Sequence, residues 1–167
     1  MMGLTIHQPW AWLIATGRKV LEVREWSTDY RGKLAIHAGR TLASDDAAAL
    51  RALGVPVPPD QELARSAILA VVDLVHVRPL IDSPDDARGA SVVSLDDDAL
   101  RSFWGRAEPW TMRAYEEQHA WELGNVIPLR PTPWRGNRML WPVPPELLTE
   151  LRASFAAAQG SHAAPTT

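Results

Sequence analysis

The sequence contains no cysteine, which excludes disulfides and thiolate metal sites. It has no apolar run near the roughly 20 residues needed to span a bilayer, and no basic stretch followed by an apolar segment at its start. The expectation is a soluble, cytoplasmic protein that stays off membranes. Its formal charge of -3 argues against binding nucleic acid through bulk positive charge. Its five histidines, His7, His37, His76, His119 and His162, never fall at i, i+4 or at common zinc spacings, so no metal is expected. There is no GxSxG elbow, no phosphate-cradling glycine loop and no defensible paired-carboxylate spacing, and no cofactor is expected.

Tyrosine and phenylalanine are scarce at two each, yet there are eight tryptophans. A buried indole N–H needs an acceptor, so core filling alone does not account for all eight. Trp12, Trp104 and Trp141 read as core, and Trp110 fits a lid or simple packing equally well. Trp10, Trp26, Trp121 and Trp134 sit beside Gln8, Arg24, Glu122 and Arg135 at strand ends or loops. Aromatic faces next to basic groups are suited to stacking a base while holding a phosphate. Charge is segregated in a compatible way. Residues 1–40 and 101–143 carry a basic excess and most of the tryptophans, whereas 41–100 are strongly acidic. A fold that joins the two basic segments would make a basic, tryptophan-lined cleft on an acidic protein.

The length suits one domain, residues 1–158, with a disordered tail over 159–167. Leu4–Ile6 reads as a strand and Trp10–Thr16 as a helix opened by Pro9 and stopped by Gly17. Val20–Arg24 and Lys33–His37 read as strands, and Asp45–Leu53 as a helix capped by Ser44. Ala67–Val77 is the strongest strand, apolar enough to be central, which makes His76 a core histidine. An acidic surface loop over 79–98 and a short helix at Ala99–Trp104 are predicted next. His119–Pro128 is a strand interrupted or bulged at Gly124, Pro131–Gly136 a turn, Met139–Val143 a closing strand, and Pro145–Ala158 a final helix. Short strands mixed with a few helices give an α+β class and a small, partly open β-barrel with flanking helices.

One segment stands apart: Gly17 to Arg24, GRKVLEVR. Alternation puts Val20, Glu22 and Arg24 on one side of a strand and Lys19, Leu21 and Val23 on the other. Leu21 and Val23 are therefore expected in the core. Glu22 and Arg24 are aimed together at the opposite face, with Lys19 brought towards them by the turn at Gly17. The plainest meaning is a surface ion pair worth about 0–1 kcal/mol.

The pattern Gly17-x-Lys19-x-x-Glu22-x-Arg24 resembles the GxKxxExR signature of the ASCH family, whose members are PUA-like β-barrels. Leu4–Trp10, Trp26, Tyr30–Leu34, Ile36–Ala38, Val71–Asp73, Trp121–Leu123 with Asn125, and Trp134–Gly136 with Leu140–Trp141 resemble its other blocks. The resemblance implies a cleft beside the first helix that takes RNA, single-stranded nucleic acid or a modified nucleoside. Candidate ligand-binding residues are His7, Gln8, Trp10, Lys19, Glu22, Arg24, Trp26, His37, Trp121 and Asn125, with Trp26 and Trp121 as stacking platforms. It also implies a possible hydrolase. Some small relatives are amidohydrolases that deacylate cytidine with a Lys, a Thr and a Glu. Lys19 matches that Lys, Glu22 stands in the place of the Thr, and their Glu has no placed counterpart here. Lys19 and Glu22 would be catalytic in such an enzyme or in a ribonuclease: Lys19 as base, Glu22 relaying a proton and Arg24 steadying an oxyanion. Pairing with Glu22 would instead keep Lys19 protonated. A third reading is a protein-interaction module, and a monomer is the expected state.

Overall fold

In the computed structural model, residues 1–79 and 118–160 are described; the predicted loop over 80–98, the helix at Ala99–Trp104, Trp110 and the last seven residues fall outside them. Six strands form one sheet: β1 (Met2–Gln8), β2 (Leu21–Arg24), β3 (Gly32–Leu42), β4 (Ala67–Pro79), β5 (His119–Pro133) and β6 (Leu140–Pro142), in the order β2-β5-β4-β3-β1-β6. The helices are α1 (Trp10–Ala15), α2 (Ser44–Ala52) and α3 (Pro145–Gly160). β1 and β3 run parallel, and every other neighbouring pair is antiparallel. The sheet is mixed α+β and unclosed, with β2 and β6 at its two margins.

Period-two alternation sends the sheet's apolar residues to two faces. The inner face carries Leu4, Ile6, Leu34, Ile36, Val72, Leu74, Trp121 and Leu123, packed with Ala11 and Ile14 of α1. The outer face carries Ala35, Ile68, Leu129 and Trp141 against Leu147 and Leu151 of α3. Each fully buried Leu or Ile contributes roughly 1.5–3 kcal/mol, so covering both faces is what holds this sheet together. The consecutive residues Leu69 and Ala70 both join the inner set, because the β4–β5 register shifts between Ile68 and Ala70. A smaller cluster, Leu13, Ala47, Leu50, Val55, Val57 and Leu63, ties α2 and the following loop to α1, with Trp12 partly buried against it.

β4 is central, as its apolar run predicts, but it extends to Pro79. His76 is not in the core: its ring is exposed and Nδ1 lies 3.1 Å from Glu122. The β4–β5 register shifts between Leu74 and His76, so the apolar pattern does not carry through. β5 runs unbroken through Gly124 and on to Pro133, because a bulge between Val71 and Asp73 absorbs the irregularity. β3 continues past His37 to Leu42. Ser44 does not cap α2; Ala43 occupies that position and no side chain bonds there. α3 ends at Gly160, two residues into the expected tail. Trp141 lies flat on its cross-strand partner Gly3, where any side chain would collide with the indole.

Candidate nucleotide-binding site

The site begins with the end of α1. Gly17 has φ +72°, a left-handed conformation that glycine adopts freely. The Gly17 N–H donates to the Ile14 carbonyl at 2.9 Å and the Arg18 N–H to the Leu13 carbonyl at 2.8 Å, a Schellman stop. The Lys19 N–H follows onto the same Leu13 carbonyl at 3.0 Å, so the reversal fixes where Lys19 starts.

β2 then pairs with β5, with Glu22 opposite Trp121 and Leu21 opposite Glu122. Directly opposed residues share a face, and Trp121 belongs to the inner core, so Glu22 faces inward. The expected alternation is present with its direction reversed. Glu22 is 7% exposed, whereas Leu21 and Val23 are only half-buried and belong to no core cluster. The rule that apolar residues face inward fails because this margin of the barrel interior is filled by a charge cluster.

Glu22 is the hub. Its Oε2 lies 3.2 Å from Lys19 Nζ and its Oε1 lies 3.1 Å from Arg24 Nη2. Lys19 Nζ also donates to the Leu21 carbonyl and sits 5.9 Å from the centre of the Trp10 ring, within cation–π range. Trp10 is held in place by its Nε1 donating to Asp46 Oδ2 at 3.2 Å. Arg24 Nη2 donates to the Thr5 carbonyl at 3.0 Å, just beyond Leu4, where β6 stops pairing with β1. One side chain thus crosses the seam that the unclosed sheet leaves between β2 and β1. Among the described residues two cations and one carboxylate meet here, and the buried Arg24 Nε is a donor without a partner. Such an arrangement favours an anionic or strongly accepting ligand.

Of the other predicted residues, the structure brings Trp10 to the cluster directly. Trp26 stands near the same margin, edge-on to Trp121 with centroids 4.6 Å apart and planes at 83°. Trp121 is fully buried and its Nε1 donates to the Trp26 carbonyl, so it offers no stacking face and acts as the wall behind Trp26. Gln8 is likewise wholly buried and occupied: its Oε1 accepts from the Trp12 N–H in the first turn of α1, and its Nε2 donates to the Ala64 carbonyl. His7 is exposed at the end of β1.

His37 is on the outer face, 4% exposed, with Nε2 bonded to the Trp134 carbonyl at 3.0 Å and its ring edge-on to Trp141. Burial pushes its pKa below the usual imidazole value, the Trp134 bond opposing only in part. Asn125 belongs to another cluster, donating to Asp73 Oδ2 at 2.8 Å beside the Lys33–Asp73 ion pair. Lys33 and Asn125 hold the Asp73 carboxyl below its ordinary range. The residue that sequence reasoning missed is Thr5, which contributes a backbone carbonyl and so leaves no side-chain signal. Among the described residues no group of His, Asp and Glu could hold a metal, and no helix is long and apolar enough to cross a membrane.

A profile of the ASCH domain matches residues 4–133, most of the chain. The chain belongs to the ASCH domain family. Among solved structures, the ASCH protein from Zymomonas mobilis is similar over 91% of this chain and 93% of its own, at 16% identity and a TM-score of 0.52. Tyr-to-Phe and Ser-to-Ala mutants of that protein give the same TM-score and identity, with 96% and 94% of their chains covered. At that identity the likeness shows the ASCH fold alone. None of the curated proteins compared matches the chain. The family is generally linked to binding nucleic acid, which places the charge cluster in a fold of that kind.

An apolar cavity of about 510 Å³ lies elsewhere, between the outer face and α3, lined by residues such as Val71, Ile127, Leu148 and Phe155. Its lining is apolar but for Lys33, which pairs with Asp73, and Arg152, so few polar groups converge there. Small-molecule recognition needs a few such groups to fix orientation, so the seam is the better site.

Proposed function

We infer that the domain binds RNA, or a nucleotide carried in RNA, at the seam between β2 and β1. The observation that carries this reading is the buried Lys19–Glu22–Arg24 cluster with the unpartnered Arg24 Nε. Lys19 and Arg24 would take a phosphate or a base carbonyl, and Glu22 would accept from an exocyclic amine. Trp10 and Trp26, both partly buried at the cluster's margin, are the aromatic side chains beside it. Binding is preferred to hydrolysis because Lys19 already directs its protons to Glu22 and the Leu21 carbonyl.

The test is a titration of the four ribonucleoside monophosphates and acetylcytidine, read by tryptophan fluorescence. At least one should quench the signal saturably at low salt, and Arg24→Gln should weaken that binding tenfold or more. Absence of a response to every compound, or a response indifferent to Arg24→Gln, would refute the reading. Release of cytidine from acetylcytidine, lost in Lys19→Ala, would replace it with the amidohydrolase.

A further inference from the structure

The cluster does not stand alone on its side of the molecule. Residues 1–21, 30–44, 63–72 and 123–145 contain no Asp or Glu, yet hold nine of the 17 Lys and Arg residues. Strand pairing gathers parts of all four at one rim. Ala38 pairs with Ala67, and Ala67 with Pro133. Arg40, Arg65 and Arg135 each lie two residues beyond these pairs, at the same end of three adjacent strands, with Ser66 turning at φ +52° and Gly136 folding over His37 and Thr5. The Trp134 N–H donates to the Ser66 carbonyl at 2.9 Å, which ties the residue before Arg135 to the residue after Arg65.

Neighbouring strands lie about 4.8 Å apart, so a row of three strand ends spans roughly 10 Å. A fourth arginine, Arg138, follows Asn137, whose carbonyl accepts from Thr5 Oγ1 at 2.7 Å. Thr5 is also the residue whose carbonyl Arg24 grips. The rim therefore runs from β3 to the mouth of the seam. All four arginines are exposed, and none makes an ion pair with a described residue. Like charges gathered at one rim, unpaired among the described residues, repel one another, and a polyanion relieves that repulsion.

We propose that Arg40, Arg65, Arg135 and Arg138 form a track for the phosphate backbone of a single-stranded nucleic acid, one nucleotide of which enters the seam. At one phosphate per about 3.4 Å of stacked strand, the row of three alone covers roughly three phosphates. The track extends the reading above and rests on it only for the nucleotide in the seam; its own contacts are to phosphate and carry no sequence preference.

The experiment measures the affinity of the full chain for an eight-nucleotide RNA and for its best-binding monophosphate across a salt series. Each phosphate contact on a single strand contributes about −0.7 to the slope of log K against log salt. Arg65→Gln/Arg135→Gln should flatten the octamer's slope by about 1.4, leave monophosphate binding unchanged, and keep the wild-type melting temperature. A DNA octamer of the same sequence should lose the same amount of slope. Arg152→Gln, which removes an exposed charge on α3, should leave the slope as it is. An unchanged octamer slope in the double variant, or an equal drop in Arg152→Gln, overturns the track. If the monophosphate binds and the octamer binds no tighter, the track fails and the seam stands. If only the octamer binds, with the predicted loss of slope, the track stands and the seam reading fails.

Discussion

Glu22→Gln keeps the side chain's shape and removes its charge, leaving two cations facing each other where water is largely excluded. The side chains of Lys19, Glu22 and Arg24 are 5%, 10% and 23% exposed. At an effective dielectric constant near 20, a pair 3.2 Å apart attracts by about 5 kcal/mol before desolvation is charged against it. Removing one partner of a buried pair costs about 3–5 kcal/mol, because the other charge stays behind uncompensated. Arg24 keeps some contact with solvent, so the lower figure, about 3 kcal/mol, is expected. That is a large share of the roughly 5–15 kcal/mol that stabilises an ordinary domain. Urea unfolding followed by tryptophan fluorescence measures it. Glu150→Gln is the control: its side chain is exposed on α3, and its loss should cost under about 0.5 kcal/mol. The double replacement Lys19→Met/Glu22→Leu should regain much of the lost stability while binding no nucleotide. A cost for Glu22→Gln no larger than that of the control would refute the view of Glu22 as a buried hub.

Gly17→Ala should cost about 1–2 kcal/mol purely through its left-handed backbone, since no atom lies within 4 Å of the added carbon. It should also weaken monophosphate binding by displacing Lys19; thermal melts and the fluorescence titration check the two effects. Gly136→Ala is a steric case, its added carbon meeting the His37 ring and lying 2.7 Å from Thr5 Oγ1. A loss of about 1–3 kcal/mol is expected from urea midpoints. His37 has a folded pKa below its unfolded value of about 6.5, so the unfolded chain binds the extra proton first. Its contribution is complete above about pH 6.5 and is lost as the pH falls towards the folded pKa. His37→Gln should therefore show a smaller drop in urea midpoint between pH 7.5 and 5.5 than wild type.

The sequence revealed most where a single physical constraint dominated. The apolar run of β4 allowed only a central strand, and Gly17 marked a helix stop whose Schellman bonds are present. The parity of β2 was legible too, because alternation is a property of the backbone. Its direction was not: which face is interior depends on the β5 partner, and Trp121 settles that only after folding. Trp121 and Gln8 show a similar limit. Both carry groups suited to ligands, but those groups are consumed by a wall and a helix turn that one strand's sequence cannot show. His76 misled because its neighbours are apolar while a register shift turns it outward. The basic rim was invisible as a motif, since its arginines come from segments brought together only by strand register.

A crystal structure of the protein with the best-binding monophosphate tests the central claim most directly. The account predicts a ligand oxygen within hydrogen-bond distance of Arg24 Nε or Lys19 Nζ, with the base beside Trp10 or Trp26. A ligand seated in the apolar cavity against α3, with the Lys19–Glu22–Arg24 cluster untouched, would contradict it.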